Sequence, residues 1–269
     1  MEPTHICKSC GNQFAGNYCN LCGEKVLRPR DHSFKQFLST FLVAITFADS
    51  SVLKSLWIVV SKPGFLATEF VEGRRVRYLK PLSLFLVLNL VYFFFPVIQL
   101  FNASLNTQLL TPLGHWYGKL IALKILRMNI DLSAFSLLYN VKTTGFAKLM
   151  VMVFVFFASL PLNFLYKKNR RHFTDHIDYT IELACFNILI NALFLSLLAT
   201  LGLGHYFNEY VLTGIFITTN LYFLIRSAKV FYHDNGLQIV FKSLAMIVFL
   251  KIALEAYRAV LFFVTLWTM

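Results

Sequence analysis

The residues best suited to chemistry stand near the start of the chain. Cys7-Lys-Ser-Cys10-Gly11 and Cys19-Asn-Leu-Cys22-Gly23 form two matching C-x-x-C-G knuckles, with eight residues between Cys10 and Cys19. A two-residue gap lets both thiolates of a knuckle face one ion, and the following glycine permits a tight turn whose backbone N–H aims at sulfur. Four thiolates around zinc give a closed tetrahedral site with no room for a substrate, so the expected cofactor is Zn in a structural role. Iron, or redox use of the two pairs, is the competing chemistry. A disulfide framework fits less well, because four of the five cysteines crowd into residues 7–22 while Cys185 stands alone in an apolar stretch. A module this short cannot bury enough apolar surface to fold unaided, so the metal would supply the folding energy. Its basic residues (Lys8, Lys25, Arg28, Arg30) and aromatics (Phe14, Tyr18) are too few for a nucleic-acid footprint. A structural or protein-docking role remains.

A second set of polar residues lies where it is costly. His172, Asp175, His176, Tyr179 and Glu182 follow helical spacing on one face, and Asn187 and Asn191 carry that face deeper into an apolar run. Lys251, Glu255 and Arg258 share a face of another apolar run, and Asn89 sits midway along a third. Ionisable groups inside a bilayer cost about 2.5–3.5 kcal/mol each on insertion scales, so they require partners or a purpose. In one reading the faces converge on a polar cavity that passes protons, ions or a lipid head group, with His176 and Glu182 at its cytoplasmic mouth. In the other, which is preferred, Lys251 pairs with Glu255, Arg258 snorkels outward and the asparagines join helices.

The elements carrying these residues are membrane helices. Of the 269 residues 57% are hydrophobic and only 14% charged, too few charges for a water-exposed surface. No Asp, Glu, Lys or Arg occurs between Lys80 and Lys119 or between Glu182 and Glu209. Uncharged apolar runs of about 18 residues or more read as spans. The pattern predicts an all-α integral membrane protein with five spans, near residues 81–101, 147–166, 177–201, 210–225 and 239–267. A loop of some 45 residues is expected between the first two, containing the basic amphipathic piece WYGKLIALKILRMN, which is read as lying on the membrane. Residues 1–27 are expected to form the zinc ribbon, 28–80 a linker with interfacial amphipathic helices, and 81–269 the transmembrane domain.

The formal net charge of +12 first suggests nucleic acid. Most of the basic residues instead flank apolar runs, where they face phospholipid head groups. Arg74, Arg75, Arg77 and Lys80 precede the first span, Lys167, Lys168, Arg170 and Arg171 follow the second, and Arg226 and Lys229 follow the fourth. The positive-inside rule then puts the N-terminus in the cytoplasm and the C-terminus outside, in an inner (cytoplasmic) membrane. Gly73-Arg74-Arg75 reads as a turn delivering cations to the head groups. Ordinary anchoring is preferred there over a specific anionic-lipid site built from Arg74, Arg75, Arg77 and Lys80.

Pro63, Glu69, Phe70, Gly73, Arg74, Arg75, Tyr78 and Pro81 stand at the spacing P-x5-E-(Y/F)-x2-G-(K/R)-R-x2-Y-x2-P. With the cysteine module before it, the chain resembles a bacterial membrane family, domain of unknown function 3667, whose members join a zinc ribbon to several spans. The resemblance is best over residues 7–101. That family often carries two histidines six residues apart in the third span, and here those positions read His176 and Glu182. The resemblance implies architecture and location rather than an activity.

No Gly-rich phosphate loop, H-E-x-x-H motif or nucleophile elbow is present, so no enzymatic activity is expected. The expected function is a non-enzymatic scaffold or regulatory component of the membrane, with the ribbon docking a cytosolic or membrane protein and no nucleic acid involved. The alternative is a small transporter or lipid-handling protein that uses the polar cavity.

Overall fold

The structure, a computed structural model, describes residues 4–6, 11–17, 19–21, 50–73, 78–94, 98, 100–111, 113–169 and 171–269. The chain divides into two compact units, Met1–Ser50 and Ser51–Met269. In the first, β1 (Thr4–Ile6) and β2 (Gln13–Ala15) pair antiparallel, with His5 opposite Phe14 and Ile6 opposite Gln13. Phe14 and Cys19 are buried together.

Among its described residues the second unit has only helices as regular elements. α1 (Ser50–Ser61) ends at Pro63, and α2 (Phe65–Val71) starts after Gly64, whose φ of +82° is left-handed. α3 (Pro81–Phe94) opens on a proline, which costs little at a first turn because that N–H has no helical partner. α4 (Leu105–Leu109), α5 (Gly114–Met128), α6 (Leu132–Leu149) and α7 (Val151–Leu165) follow. α8 (Phe173–Asn187) runs through a π-helical stretch, Ile188–Phe194, into α9 (Leu195–Thr200). α10 (Glu209–Phe231) and α11 (Leu237–Thr268) complete the unit.

Three of these are long and apolar enough to cross a membrane: the continuous Phe173–Thr200, Glu209–Phe231 and Leu237–Thr268. The pair α6–α7 adds a fourth if it is counted as one span bent by 59°. The second unit is thus all-α, and its apolar helices make the chain a multi-pass membrane protein. The expected first span is shorter than predicted: its helix has 14 residues, about 21 Å at 1.5 Å per residue. The predicted loop before the second span contains the expected amphipathic piece as α5, and beside it two further helices, α4 and α6. Lys142, Thr143, Thr144, Gly145 and Lys148 dilute the apolar pattern of α6 and hide it from a hydropathy reading. Thr144 nevertheless donates its hydroxyl to the Asn140 carbonyl at 2.7 Å and stays helical.

Two cores hold the unit together. The larger joins α2, α3, α7, α8, α10 and α11 through residues such as Leu66, Leu84, Val155, Leu183, Phe223 and Tyr257. The smaller wraps α4, α5 and α6 around the last turns of α11, with Tyr117, Phe135, Tyr139 and Phe262 fully buried. At the bend between α6 and α7 the Lys148 ammonium donates to the Phe93 carbonyl at 2.8 Å and lies over the Phe93 ring. It thereby places a cation at the C-terminal end of α3, where the helix dipole favours one.

Candidate functional site

Every polar residue singled out in the third apolar run has a defined position. Glu182 lies wholly inside the bundle, and its carboxylate reaches across to the start of α2. The Gly64 N–H donates to Oε1 at 2.9 Å and the Ala67 N–H to Oε2 at 2.7 Å. The first N–H groups of any helix lack partners within it, and a buried start must find them elsewhere. Here a carboxylate supplied 115 residues along the chain takes two of them. Gly64 is needed for a second reason: a Cβ there would stand 2.7 Å from Cβ of Ser227 on α10 and 2.9 Å from its Cα.

Asn187 and Asn191 continue the face, one turn apart. Asn191 donates to Asn187 Oδ1 at 2.9 Å, and Asn187 and Asn220 exchange amide hydrogen bonds at 2.9 Å in each direction. Asn191 also exchanges hydrogen bonds with the Thr219 hydroxyl at 3.0 and 3.1 Å. Four polar side chains thus close on one another between the π-helical stretch and α10.

His176 belongs to an aromatic column at the other end of α8. Its Nδ1 is 2.7 Å from the Tyr232 hydroxyl. The Tyr232 ring stacks on Tyr166 with centroids 3.6 Å apart and planes 8° from parallel, and the Lys242 ammonium covers the far face of Tyr166 at 4.5 Å. Lys242 also pairs with Asp234. The column therefore fastens the ends of α7, α8 and α10 to the start of α11. Asp175 accepts from the His172 backbone N–H at 3.0 Å, which closes the first turn of α8.

Burial, aided by the charge of Asp234, holds the Tyr166 phenol above its ordinary pKa, and burial does the same for Tyr232. A raised pKa in the folded state contributes stability that is complete below the ordinary value near 10 and lost as pH rises past it. The melting temperature in detergent is therefore expected to fall as the pH rises above about 10. Tyr166→Phe keeps the stack but removes one phenol, and should flatten that fall by about 2–4 °C for each kcal/mol involved. An alkaline limb identical in the two proteins would refute the assignment.

The second charged set lies on α11. Lys251 donates to Glu255 Oε1 at 2.8 Å, and Arg258 reaches the same oxygen at 3.3 Å. Arg258 turns inward, with 15% of its side chain exposed, and its Nη2 points to the Asn102 carbonyl at 3.5 Å. Glu182 and Glu255 share no hydrogen-bond partner among the described residues: one closes on α2, the other on its own helix. Asn89 donates to the Lys148 carbonyl at 2.9 Å. Cys185 is buried with its thiol 3.9 Å from the Pro81 carbonyl.

Of the predicted zinc ligands, Cys7, Cys10 and Cys22 lie outside the described residues, as do Arg74, Arg75 and Arg77 of the basic segment; Lys80 lies just before α3. Among the described residues no three His, Cys, Asp or Glu side chains gather as a metal set. What is described fits thiolate chemistry. Strands β1 and β2 flank the first knuckle, Cys19 is buried, and the Asn12 amide stands 4.0 Å from its Sγ, an N–H aimed at sulfur. If the four cysteines hold Zn, its contribution is to tie the two knuckles into one folded module.

Residues that spacing alone did not single out are Gly64, Tyr166, Thr219, Asn220, Ser227 and Tyr232. The Pro63-Gly64 turn carried the one usable signal, because a buried helix start after it requires an acceptor from elsewhere. The motif residues now have local roles: Pro63 and Gly64 make the turn, Gly73 (φ +86°) ends α2, Tyr78 packs edge-on against Phe65, and Pro81 opens α3. Among curated proteins and solved structures nothing matches this chain. Residues 49–93, which contain α1, α2 and all but the last residue of α3, match the sequence profile of the family described as "Protein of unknown function (DUF3667)", the family that the Pro63-to-Pro81 motif resembles.

Proposed function

We propose that this protein is a non-enzymatic component of a bacterial inner membrane, in which a helical platform displays a cytoplasmic zinc ribbon as a docking module for a cytosolic or membrane protein. One observation carries the reading. The polar groups suited to lining a pathway are closed on partners within the protein: Glu182 on two backbone N–H groups, His176 on Tyr232, the asparagines on one another and Thr219, and Glu255 on Lys251 and Arg258. Groups so engaged hold helices in register and have part of their hydrogen-bonding capacity already spent within the protein. Cys7, Cys10, Cys19 and Cys22 would hold the zinc, and the cations Arg74, Arg75, Arg77 and Lys80 would anchor the platform at the head groups.

The purified full chain should carry one zinc by elemental analysis. Cys19→Ser with Cys22→Ser should abolish it and leave the melting of the helical unit unchanged. A photo-crosslinker at Ile6, which is exposed, should capture a protein in cells only when the cysteines are intact. A reporter fused after Met269 should be active outside the cytoplasm if five spans follow a cytoplasmic N-terminus. Gradient-driven flux in proteoliposomes that disappears on Glu255→Gln would overturn the platform reading in favour of transport.

A further inference from the structure

The smaller core holds a lobe whose outer surface the platform leaves uncovered. α5 buries Tyr117 and Ile121 against α11, with the Tyr117 and Phe262 rings 4.2 Å apart. Its opposite side exposes Trp116 (51%), Leu123 (59%) and Leu126 (76%). Lys119 and Arg127 are exposed beside them, with Lys124 half-buried at the flank. Trp116 rests edge-on against Phe263, and Trp267, one turn further along α11, is almost wholly exposed. α11 itself has 32 residues, about 48 Å, well beyond the roughly 30 Å of a hydrocarbon core. A lobe wrapped around its last turns therefore stands where the helix leaves hydrocarbon, the level at which tryptophans gather.

From this geometry we propose that α5 is a binding surface for anionic phospholipids, with Trp116, Leu123 and Leu126 in the acyl boundary and Lys119, Lys124 and Arg127 on the head groups. Charge selects the occupant. Between residues 101 and 149 the sequence holds five Lys and Arg but a single acid, Asp131. That acid is engaged as the cap of α6, accepting from the Ser133 hydroxyl and from the Ala134 N–H at 3.1 Å, contacts that hold its carboxyl below the usual carboxylate range. A second copy would bring the same cations face to face and be repelled. An anionic bilayer surface satisfies both the apolar and the cationic parts at once. This inference does not depend on the docking role of the cysteine module.

The test uses the full chain with Trp57→Phe and Trp267→Phe, both at exposed positions, so that Trp116 alone reports. It is reconstituted in phosphatidylcholine nanodiscs doped at equal mole fraction with chain-brominated phosphatidylglycerol or chain-brominated phosphatidylcholine. Quenching of Trp116 should be several-fold stronger with the anionic lipid, and 0.5 M salt should reduce the difference. Lys119→Gln with Arg127→Gln should equalise the two lipids while quenching itself persists. Equal quenching by both lipids in the unsubstituted lobe would overturn head-group selection. No quenching by either would mean that a protein, partner or second copy, covers the face.

Discussion

Glu182→Ala is expected to destabilise the helical unit by about 2–5 kcal/mol and to loosen α2 before any other element. Both carboxylate oxygens accept a backbone N–H, from Gly64 and Ala67, and all these atoms are buried. Removing the side chain strands two donors in an apolar setting, at about 1–3 kcal/mol each, and leaves a void. Relief from desolvating a buried acid offsets part of this loss, since the two N–H donors repay that cost only in part. Glu182→Gln keeps the shape and one acceptor but turns an NH2 group toward an N–H, so its loss should be smaller than that of alanine. Melting in detergent gives the size of the effect, and hydrogen exchange gives its place: amides across residues 64–71 should exchange faster in both variants. If alanine melts like the unsubstituted protein with those amides still protected, the carboxylate is not what holds α2.

The helices long enough to cross the bilayer were readable because hydrocarbon imposes one demand along their length, and α8 with its continuation, α10 and α11 each meet it over a span-sized apolar stretch with few charges. Period alone also places Asn187 near Asn191 and Lys251 near Glu255, since four residues return to the same side of a helix. The partners that cross between helices were not readable. Gly64 lies 118 residues from Glu182, Asn220 lies 33 from Asn187, and Tyr232 lies 56 from His176. Helical spacing says which side chains share a face and nothing about which faces meet. The same gap hid α4 and α6, though not the amphipathic α5: their buried apolar residues serve a small separate core around the end of α11. The motif from Pro63 to Pro81 was legible as a pattern, but its dependence on α8 was not. α2 takes its cap from Glu182, and Pro81 accepts from the thiol of Cys185 three residues further on.

That dependence makes the turn between α1 and α2 a sensitive backbone position. Gly64→Ala should lower stability by about 1–2 kcal/mol through its φ of +82° alone, because an L side chain in the left-handed region meets its own backbone. The larger part is contact. The added Cβ would approach Ser227 to 2.7 Å at Cβ, 2.9 Å at Cα and 3.1 Å at the carbonyl oxygen, and two of these atoms belong to α10 backbone that cannot rotate away. α2 would have to move off α10, lengthening both hydrogen bonds to Glu182, so the total should exceed the conformational part severalfold. Pairing Gly64→Ala with Ser227→Gly separates the contributions. It removes the Cβ–Cβ clash and leaves the φ strain and the backbone contact, so it should recover part of the loss after allowance for Ser227→Gly alone. Ser227→Gly also removes the hydroxyl that lies 2.6 Å from the Tyr179 hydroxyl, which the single variant measures. Full recovery would assign the whole cost to the side-chain clash, whereas no recovery at all would assign it to the φ strain and the backbone contact.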